Sequence, residues 1–402
     1  MRRVIYAWNY VEWGGAQIHF LALIKEARRE FDVVVVLPKG TDSQFHHFLN
    51  ALKIECVEFE PAVDLAPTET IFDRFRRRRR RLKSEHHMIS EIRRIGTQNA
   101  IIHTDLIPTQ SLLSLIRLCR LTDVFITSHN ALPQVSITRW YWMRWKFYVL
   151  SAFGGVRVFC TNKHAAEYFK KLYAKKVADR ITITYDSINP EEIEGARASD
   201  FDRSRILSEL NIDAKKFIVL AVGRFIDRKG RWTFLDAAKR VTSQCDDIDF
   251  VWLTPAIPSE SDRIEIDSYN IGDRFHLVHA SSIGGRRDDV LRFFRVGDIY
   301  AQPSFVEGLP ISLLEAMAIG LPSISTNVYG IPEAIINEKT GFLIEPGDPD
   351  SLAAAILEMK NDPDLRRRLA DAGREHVLRS FDEREAARIA ISEYKRAFNA
   401  HQ

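Results

Sequence analysis

Short apolar runs alternate with amphipathic stretches along nearly the whole chain. "VIYAW" at the start leads into "AQIHFLALIKEARREF", whose apolar residues recur every three or four positions, and then into "DVVVVLP" (32–38). A helix is expected near 43–53, followed by a short strand "IECVEF". Further strands are expected at "AIIHT" (100–104), "DVFITSHN" (123–130), "VRVFCTN" (156–162) and "RITITYDS" (180–187). Strands separated by helix-length segments predict parallel pairing with helical crossovers.

The alternation pauses over 190–216, "PEEIEGARASDFDRSRILSELNIDAKK", and restarts at "FIVLAVGRF". It then repeats through "FVWLTP" (250–255), "FHLVHA" (275–280), "DIYAQPS" (298–304) and "PSISTN" (322–327). Two doubly wound α/β domains are the simplest reading, with ligands expected outside the carboxyl ends of the strands. The closing segment "FDEREAARIAISEYKRAFNA" spaces Ala387, Ile391, Tyr394 and Phe398 by three or four residues, which predicts an amphipathic helix with one buried face.

Composition adds a division of charge. A 402-residue chain with 46% hydrophobic residues buries a sizeable core, and its length favours two domains over one. Residues 1–200 carry 30 lysines and arginines against 22 acids, whereas the remainder carries 27 against 32. The two halves are therefore expected to meet different partners. Cys56, Cys119, Cys160 and Cys245 form no C-x-x-C pair, so neither a zinc site nor a disulfide framework is suggested, and a reducing cytosol fits. The start lacks a signal-peptide core and no run approaches the ~18 apolar residues of a spanning helix, so a cytoplasmic chain, soluble or peripheral at the inner membrane face, is expected.

Candidate chemistry begins at "FVEGLPISLLEAM" (305–317). Gly308 gives backbone freedom, Pro310 suits a first helical position, and a helix is expected from about Pro310 to Ile319 with Gly320 ending it. Glu307 then sits in the loop before the helix and Glu315 on its second turn, bordering backbone N–H groups from Gly308 to Ser312 that form an anion site. The pair reads either as acceptors for sugar or ribose hydroxyls or as ordinary decoration of a helix start and a solvated face. "LAVGRFIDRKG" places Arg224 at a strand end and Lys229 in the following loop, a phosphate clamp or two surface cations. Gly14 and Gly15 lie between the first strand and first helix, where a phosphate can approach backbone or where a tight turn alone is needed; G-x-G-x-x-G is not present. His129 ends a strand in "TSHN", as a functional or a satisfied structural histidine.

"GGAQIHFLALI", "VGRFIDRKG" and above all "PSFVEGLPISLLEAMAIGLPSISTNVYGIPEAIINEKTGFLIEPGDPDSLAAAI" resemble the family 4 retaining glycosyltransferases of the GT-B fold, whose signature is E-x7-E. The likeness is nearly continuous over 217–360 and patchier over 1–190. It implies two Rossmann-like domains facing a central cleft, with a C-terminal helix crossing back to the N-terminal domain. Arg224 and Lys229 match the pair that neutralises the donor diphosphate. Glu307 matches the acid on the transferred sugar, with Gly308 and Leu309 amides near it, and Glu315 matches the acid on the ribose. Gly14 and Gly15 match the N-terminal loop near the phosphates, and His129 matches the histidine beside the sugar. Departures are Gln17 where an acid is usual, "TPAIPSESD" where a glycine-rich loop borders the base, and "YDSIN" in place of an N-G turn near 186.

D-x-D pairs at Asp200/Asp202, Asp247/Asp249, Asp348/Asp350 and Asp362/Asp364 read as loop or helix-start chemistry. A cationic clamp with a helix N-terminus stabilises a leaving diphosphate without Mg²⁺, so no metal or other cofactor is expected. The basic half adds "RFRRRRRRLK", from Arg74 through Lys83, and "RWYWMRWKFY", from Arg139 through Tyr148. An anionic membrane surface suits both, since aromatic rings settle at headgroup level, and no nucleic-acid module accompanies them. A solvated charged helix and a partly buried or dimer-forming helix are the plainer readings.

The expectation is an acceptor-binding domain at 1–190, a linker at 191–216, a nucleotide-sugar domain at 217–375 and a C-terminal helix at 376–402 packing on the first domain. The expected reaction moves a hexosyl unit from a nucleotide sugar, UDP favoured over GDP, to a glycan or lipid-linked acceptor with retention. The acceptor attacks on the leaving-group face, assisted by the departing phosphate, in cell-envelope or surface polysaccharide synthesis. A nucleotide-sugar epimerase or hydrolase on the same fold, and a non-catalytic membrane- or RNA-binding protein, are the alternatives.

Overall fold

The computed structural model describes residues 2–11, 14–61, 71–105, 111–129 and 135–400. The chain forms two compact units, Met1–Asp186 with Glu383–Gln402, and Ser187–Asp382.

The first unit is built on strands β1 (Arg3–Ala7), β2 (Asp32–Pro38), β3 (Glu55–Phe59), β4 (Ala100–Asp105), β5 (Asp123–Ser128), β6 (Val156–Cys160) and β7 (Ile181–Ile183). They form a parallel sheet in the order β3-β2-β1-β4-β5-β6-β7. Helices cover both faces, which is why Val33 to Val36 are buried without alternation. The helix Glu383–Asn399 lies in one of these cores, burying Ala387, Ile391, Tyr394 and Phe398 against Phe20, Phe31 and Phe125. The hydroxyl of Tyr394 is satisfied there. Tyr394 Oη meets His103 Nδ1 at 2.5 Å and Tyr6 Oη at 3.2 Å, and His103 Nε2 meets Thr127 Oγ1 at 2.6 Å. A neutral imidazole needs one donor and one acceptor, and hydroxyls supply either.

The second unit carries β8 (Phe217–Val222), β9 (Ile248–Thr254), β10 (Phe275–His279), β11 (Ile299–Gln302), β12 (Ser323–Thr326) and β13 (Phe342–Ile344), all parallel, in the order β10-β9-β8-β11-β12-β13. Strand order therefore reverses between β8 and β11, where open α/β sheets bind ligands at their carboxyl ends.

Four expectations change. The stretch expected as a linker, 191–216, holds the helices Pro190–Ala198 and Arg203–Glu209 and belongs to the second unit, because Asn189 and Asp202 cap those helices and Ile193 and Leu207 are buried. The first unit's contiguous part ends at Asp186 rather than 190. From 376 onward the chain is not one helix: Pro363–Ser380 stays with the second unit, and the chain passes to the first at Glu383. β13 adds a strand where none was expected, its three residues being too few to show a period.

Candidate active site

The second unit gathers four of the expected residues at the β8/β11 switch. β8 ends at Val222 and passes through Gly223, at φ 142°, to Arg224, which is exposed at the strand end. A single 3-10 turn, Asp227–Lys229, brings Lys229 back beneath this edge and closes on Gly230 at φ 75°. Only glycine fits there. A Cβ on Gly230 would lie 1.8 Å from the carbonyl oxygen of Pro303, so the loops after β8 and β11 run in backbone contact. Phe305 N–H donating to Arg228 O at 2.9 Å fixes the same approach.

Lys229 Nζ consequently reaches Glu307 Oε1 at 2.6 Å, with the two side chains 13% and 8% exposed. Gln302 Nε2 and Ser304 Oγ donate to the same oxygen, each at 3.2 Å. Behind them Ser325 Oγ and Thr326 Oγ1 donate to the carbonyls of Gln302 and Ser304 at 2.7 and 2.6 Å, tying the loop to β12. Buried Tyr300, its phenol pushed well above the ordinary range by burial, donates to Gln302 Oε1 at 2.7 Å. A carboxylate ringed by donors and one ammonium keeps its place.

The helix after this loop runs Ile311–Ile319 and ends at Gly320 in the left-handed region (φ 105°). Pro310 is its N-cap rather than its first helical residue. Gly308 and Leu309 are buried directly before it. Every residue of the helix except Ser312 is buried, so Glu315 is carried into the interior. That overturns its reading as a solvated face. Arg287 Nη1 donates to Glu315 Oε1 at 2.8 Å, and Arg287 Nε donates to Glu192 Oε2 at 2.7 Å. Burial raises the Glu315 pKa and Arg287 opposes the shift. Burial would lower the Arg287 pKa, but Glu315 and Glu192 outweigh it and hold the guanidinium above its usual value.

In the first unit Gly14 is fully extended (φ 179°), a conformation any residue adopts, so a turn does not require it; the space its Cβ would fill is open. Gly15 opens the helix Gly15–Ala27, which buries Gln17 and His19. His129 follows β5. Its Nδ1 lies 3.0 Å from Asp186 Oδ1, and His19 Nδ1 lies 3.4 Å from the same oxygen. Burial lowers both imidazole pKa values, His19 to about 3, and each is neutral at pH 7. Ligand-competent atoms of His19, His129 and Asp186 lie within 4.8 Å of one another, the one such group among the described residues.

The D-x-D aspartates are spent elsewhere: Asp202, Asp348 and Asp362 cap helices, Asp247 pairs with Lys360 at 2.9 Å, and Asp249 is held by Arg274 at 2.7 Å. Sequence reading missed Arg287, Glu192, Gln302, Ser304, His19 and Asp186. Gln302 alone left a signal, a polar residue closing the apolar strand "IYAQ".

Residues 202–376 match the family model described as glycosyl transferases group 1. The chain is 27% identical over 207 residues to the UDP-Gal:alpha-D-GlcNAc-diphosphoundecaprenol alpha-1,3-galactosyltransferase of Escherichia coli, covering 51% of each. It is 25% identical to the capsular polysaccharide biosynthesis glycosyltransferase CapM of Staphylococcus aureus, over 59% of this chain and 62% of the relative. The chain spans about half the length of the first of these relatives. Among solved structures, HepE of Anabaena in complex with UDP superposes with a TM-score of 0.75 at 16% identity over 98% of this chain and 100% of that one. A glycosyltransferase from Rickettsia africae does so with 0.75 at 15% identity, covering 98% of both. These likenesses place the two sheets in the GT-B architecture.

Proposed function

We propose, from the match of residues 202–376 to the glycosyl transferases group 1 model, that the chain is a retaining glycosyltransferase moving a hexosyl unit from a nucleotide sugar to a hydroxyl of a glycan or lipid-linked acceptor. Envelope or surface polysaccharide synthesis is the setting, in keeping with the capsular polysaccharide biosynthesis in the name of the Staphylococcus aureus relative and the diphosphoundecaprenol-linked sugar in that of the Escherichia coli relative. The observation that carries the reading is the Lys229–Glu307 pair, an ammonium and a carboxylate held 2.6 Å apart at a strand-order switch.

Each residue then has a task. Lys229 and Arg224 neutralise the donor diphosphate, helped by the N-terminus of the helix Ile311–Ile319 and by the Gly308 and Leu309 amides, so the reaction draws on no metal ion. Glu307, released from part of its contact with Lys229 as phosphate arrives, accepts hydroxyls of the sugar. Glu315, positioned by Arg287, accepts from the ribose. Gly14 and Gly15 leave the first unit's loop open to phosphate, and His129 accepts from a substrate hydroxyl. The acceptor oxygen attacks the anomeric carbon on the face the diphosphate leaves. The carbon–oxygen bond to phosphate breaks, its electron pair stays on the phosphate oxygen, and that oxygen takes the acceptor proton. A UDP-sugar is the expected donor.

The first unit offers a membrane surface. The helices Ile71–Ile95, Leu112–Cys119 and Ile137–Leu150 pack in that order. Ile137, Tyr141, Trp145 and Tyr148 form an exposed stripe at helical spacing, with Leu113 exposed on the neighbouring helix. Arg76, Arg78 and Arg79 are exposed on the first of the three, while the Arg74 side chain lies outside the described residues. No helix among the described residues is long and apolar enough to cross a membrane. We therefore expect adsorption to an anionic lipid surface.

Lys229→Ala and Glu315→Ala are each expected to lower transfer by 10²–10³-fold or more, with circular dichroism unchanged. Near-normal turnover in both refutes the assignment. Donor incubated without acceptor separates the epimerase and hydrolase readings by its isomerised or hydrolysed products. Co-sedimentation with phosphatidylglycerol vesicles that is indifferent to Trp145→Ala and to neutralising Arg76, Arg78 and Arg79 removes the membrane surface.

A further inference from the structure

We propose that Asp186 is the positioning residue of His129, fixing its ring in the tautomer that carries the proton on Nδ1 and leaving Nε2 as a buried acceptor for a substrate hydroxyl. The inference rests on the reading of His129 as a substrate-contacting group. It begins from two chain segments 57 residues apart. His129 leaves the end of β5, and Asp186 follows β7 by three residues, so neither is placed by the other's local structure.

Their contact is 3.0 Å between Nδ1 and Oδ1, both side chains nearly buried. An ionised carboxylate only accepts, so that hydrogen bond puts the imidazole proton on Nδ1. A neutral ring has one proton to place. Its other nitrogen must then present a lone pair, and which nitrogen is protonated is set by the bond the other makes. Among the described residues Nε2 of His129 is buried and meets no hydrogen-bond partner. A buried acceptor left unpaired is costly, and a bound hydroxyl removes that cost.

The ring is also clamped. His19 packs edge-on against it at 4.9 Å between centroids and Phe20 does so at 5.5 Å. His19 Nδ1 lies 3.4 Å from the same Asp186 oxygen. The three side chains also have the spacing of a cation site. Hydrogen bonding is favoured at His129 because its Nδ1 meets the Asp186 oxygen directly at 3.0 Å, whereas a metal would draw the three ligand atoms around a centre ~2 Å from each.

The test uses the full chain labelled with ¹⁵N-histidine. Long-range proton–nitrogen correlation at neutral pH is expected to show His129 protonated on Nδ1, with Asp186→Ala shifting the population towards Nε2. Turnover of Asp186→Ala is expected to fall on the order of 10²-fold in kcat, the cost of a misplaced reacting group, with donor KM within about threefold. Asp186→Asn, which keeps the side-chain shape and offers either an oxygen or an amide to the ring, is expected to keep kcat in proportion to its remaining Nδ1–H population. If Asp186→Ala fails to fold, the wild-type spectrum and Asp186→Asn decide. A wild-type ring protonated on Nε2, a kcat independent of tautomer, or one equivalent of metal in the purified protein overturns the proposal. Normal turnover in His129→Ala instead overturns the role of His129 in transfer, while the tautomer assignment is judged by the spectrum alone.

Discussion

Replacing Arg287 with methionine should expose how Glu315 is held. The guanidinium lies between Glu315 and Glu192 at 2.8 and 2.7 Å, and the two carboxylate side chains are 6% and 23% exposed. Methionine fills much of the same space but removes the charge. Breaking a buried ion pair from one side costs about 3–5 kcal/mol, because the remaining charge stays buried without compensation. Here most of that falls on Glu315, since Glu192 reaches water more readily. The Glu315 pKa already lies above the ordinary glutamate range, and without Arg287 it rises further, so the native state holds a proton that the unfolded state releases. Stability of the variant therefore falls as pH rises above about 4.5 and is regained on acidification, at about 1.4 kcal/mol per unit within that window. Urea unfolding followed by hydrogen exchange at β8 and β11 measures it at pH 7.5 and 5.5. A loss near 4 kcal/mol at the higher pH, smaller at the lower, and largely recovered in Arg287→Met/Glu315→Gln, is the expected pattern. A loss below about 1 kcal/mol, or no recovery in the double variant, refutes the buried-pair account.

Gly230→Ala sets a Cβ 1.8 Å from the Pro303 carbonyl at φ 75°, and should cost about 3 kcal/mol in denaturant unfolding while displacing Lys229 and lowering turnover. Acidification should destabilise the first unit through His19. Above pH 6.5 the imidazole is neutral folded or unfolded, whereas below it the unfolded chain binds a proton that the native state refuses until about pH 3. Stability falls through that window, by about 2 kcal/mol between pH 6.5 and 5, and a urea midpoint that is flat with pH argues against it. Tyr394→Phe removes the hydroxyl joining Tyr6 to His103 and should cost about 1–3 kcal/mol, read as faster amide exchange in the helix Glu383–Asn399.

The parallel-sheet architecture was legible because two-sided strands and amphipathic helices write their period into neighbouring residues. "DVVVVLP", "FIVLAV" and "FVWLT" are strands where the pattern put them, and Gly320 ends its helix in the left-handed conformation expected of it. The helix Glu383–Asn399 buries the face its spacing predicted. The seam was misjudged for an equally local reason. A charged, strand-poor stretch looks like a linker, yet Asn189 and Asp202 cap short helices there whose few apolar residues suffice to dock them. At the site, Glu307 and Lys229 were legible as types of residue at a strand end, but their contact was not.

What the sequence alone determined was therefore what is encoded within a turn or two of chain: periodicity, caps, glycines with positive φ, and which strand ends carry charge. Tertiary structure alone decided partners. Arg287 serves Glu315 and Glu192, the latter 95 residues away, and Asp186 serves His129 across 57, because two strand or helix ends converge. Burial then raises the cost of leaving any of these groups unpaired. No local pattern records such a choice, since a buried charge selects its partner by distance in space and by exclusion of water.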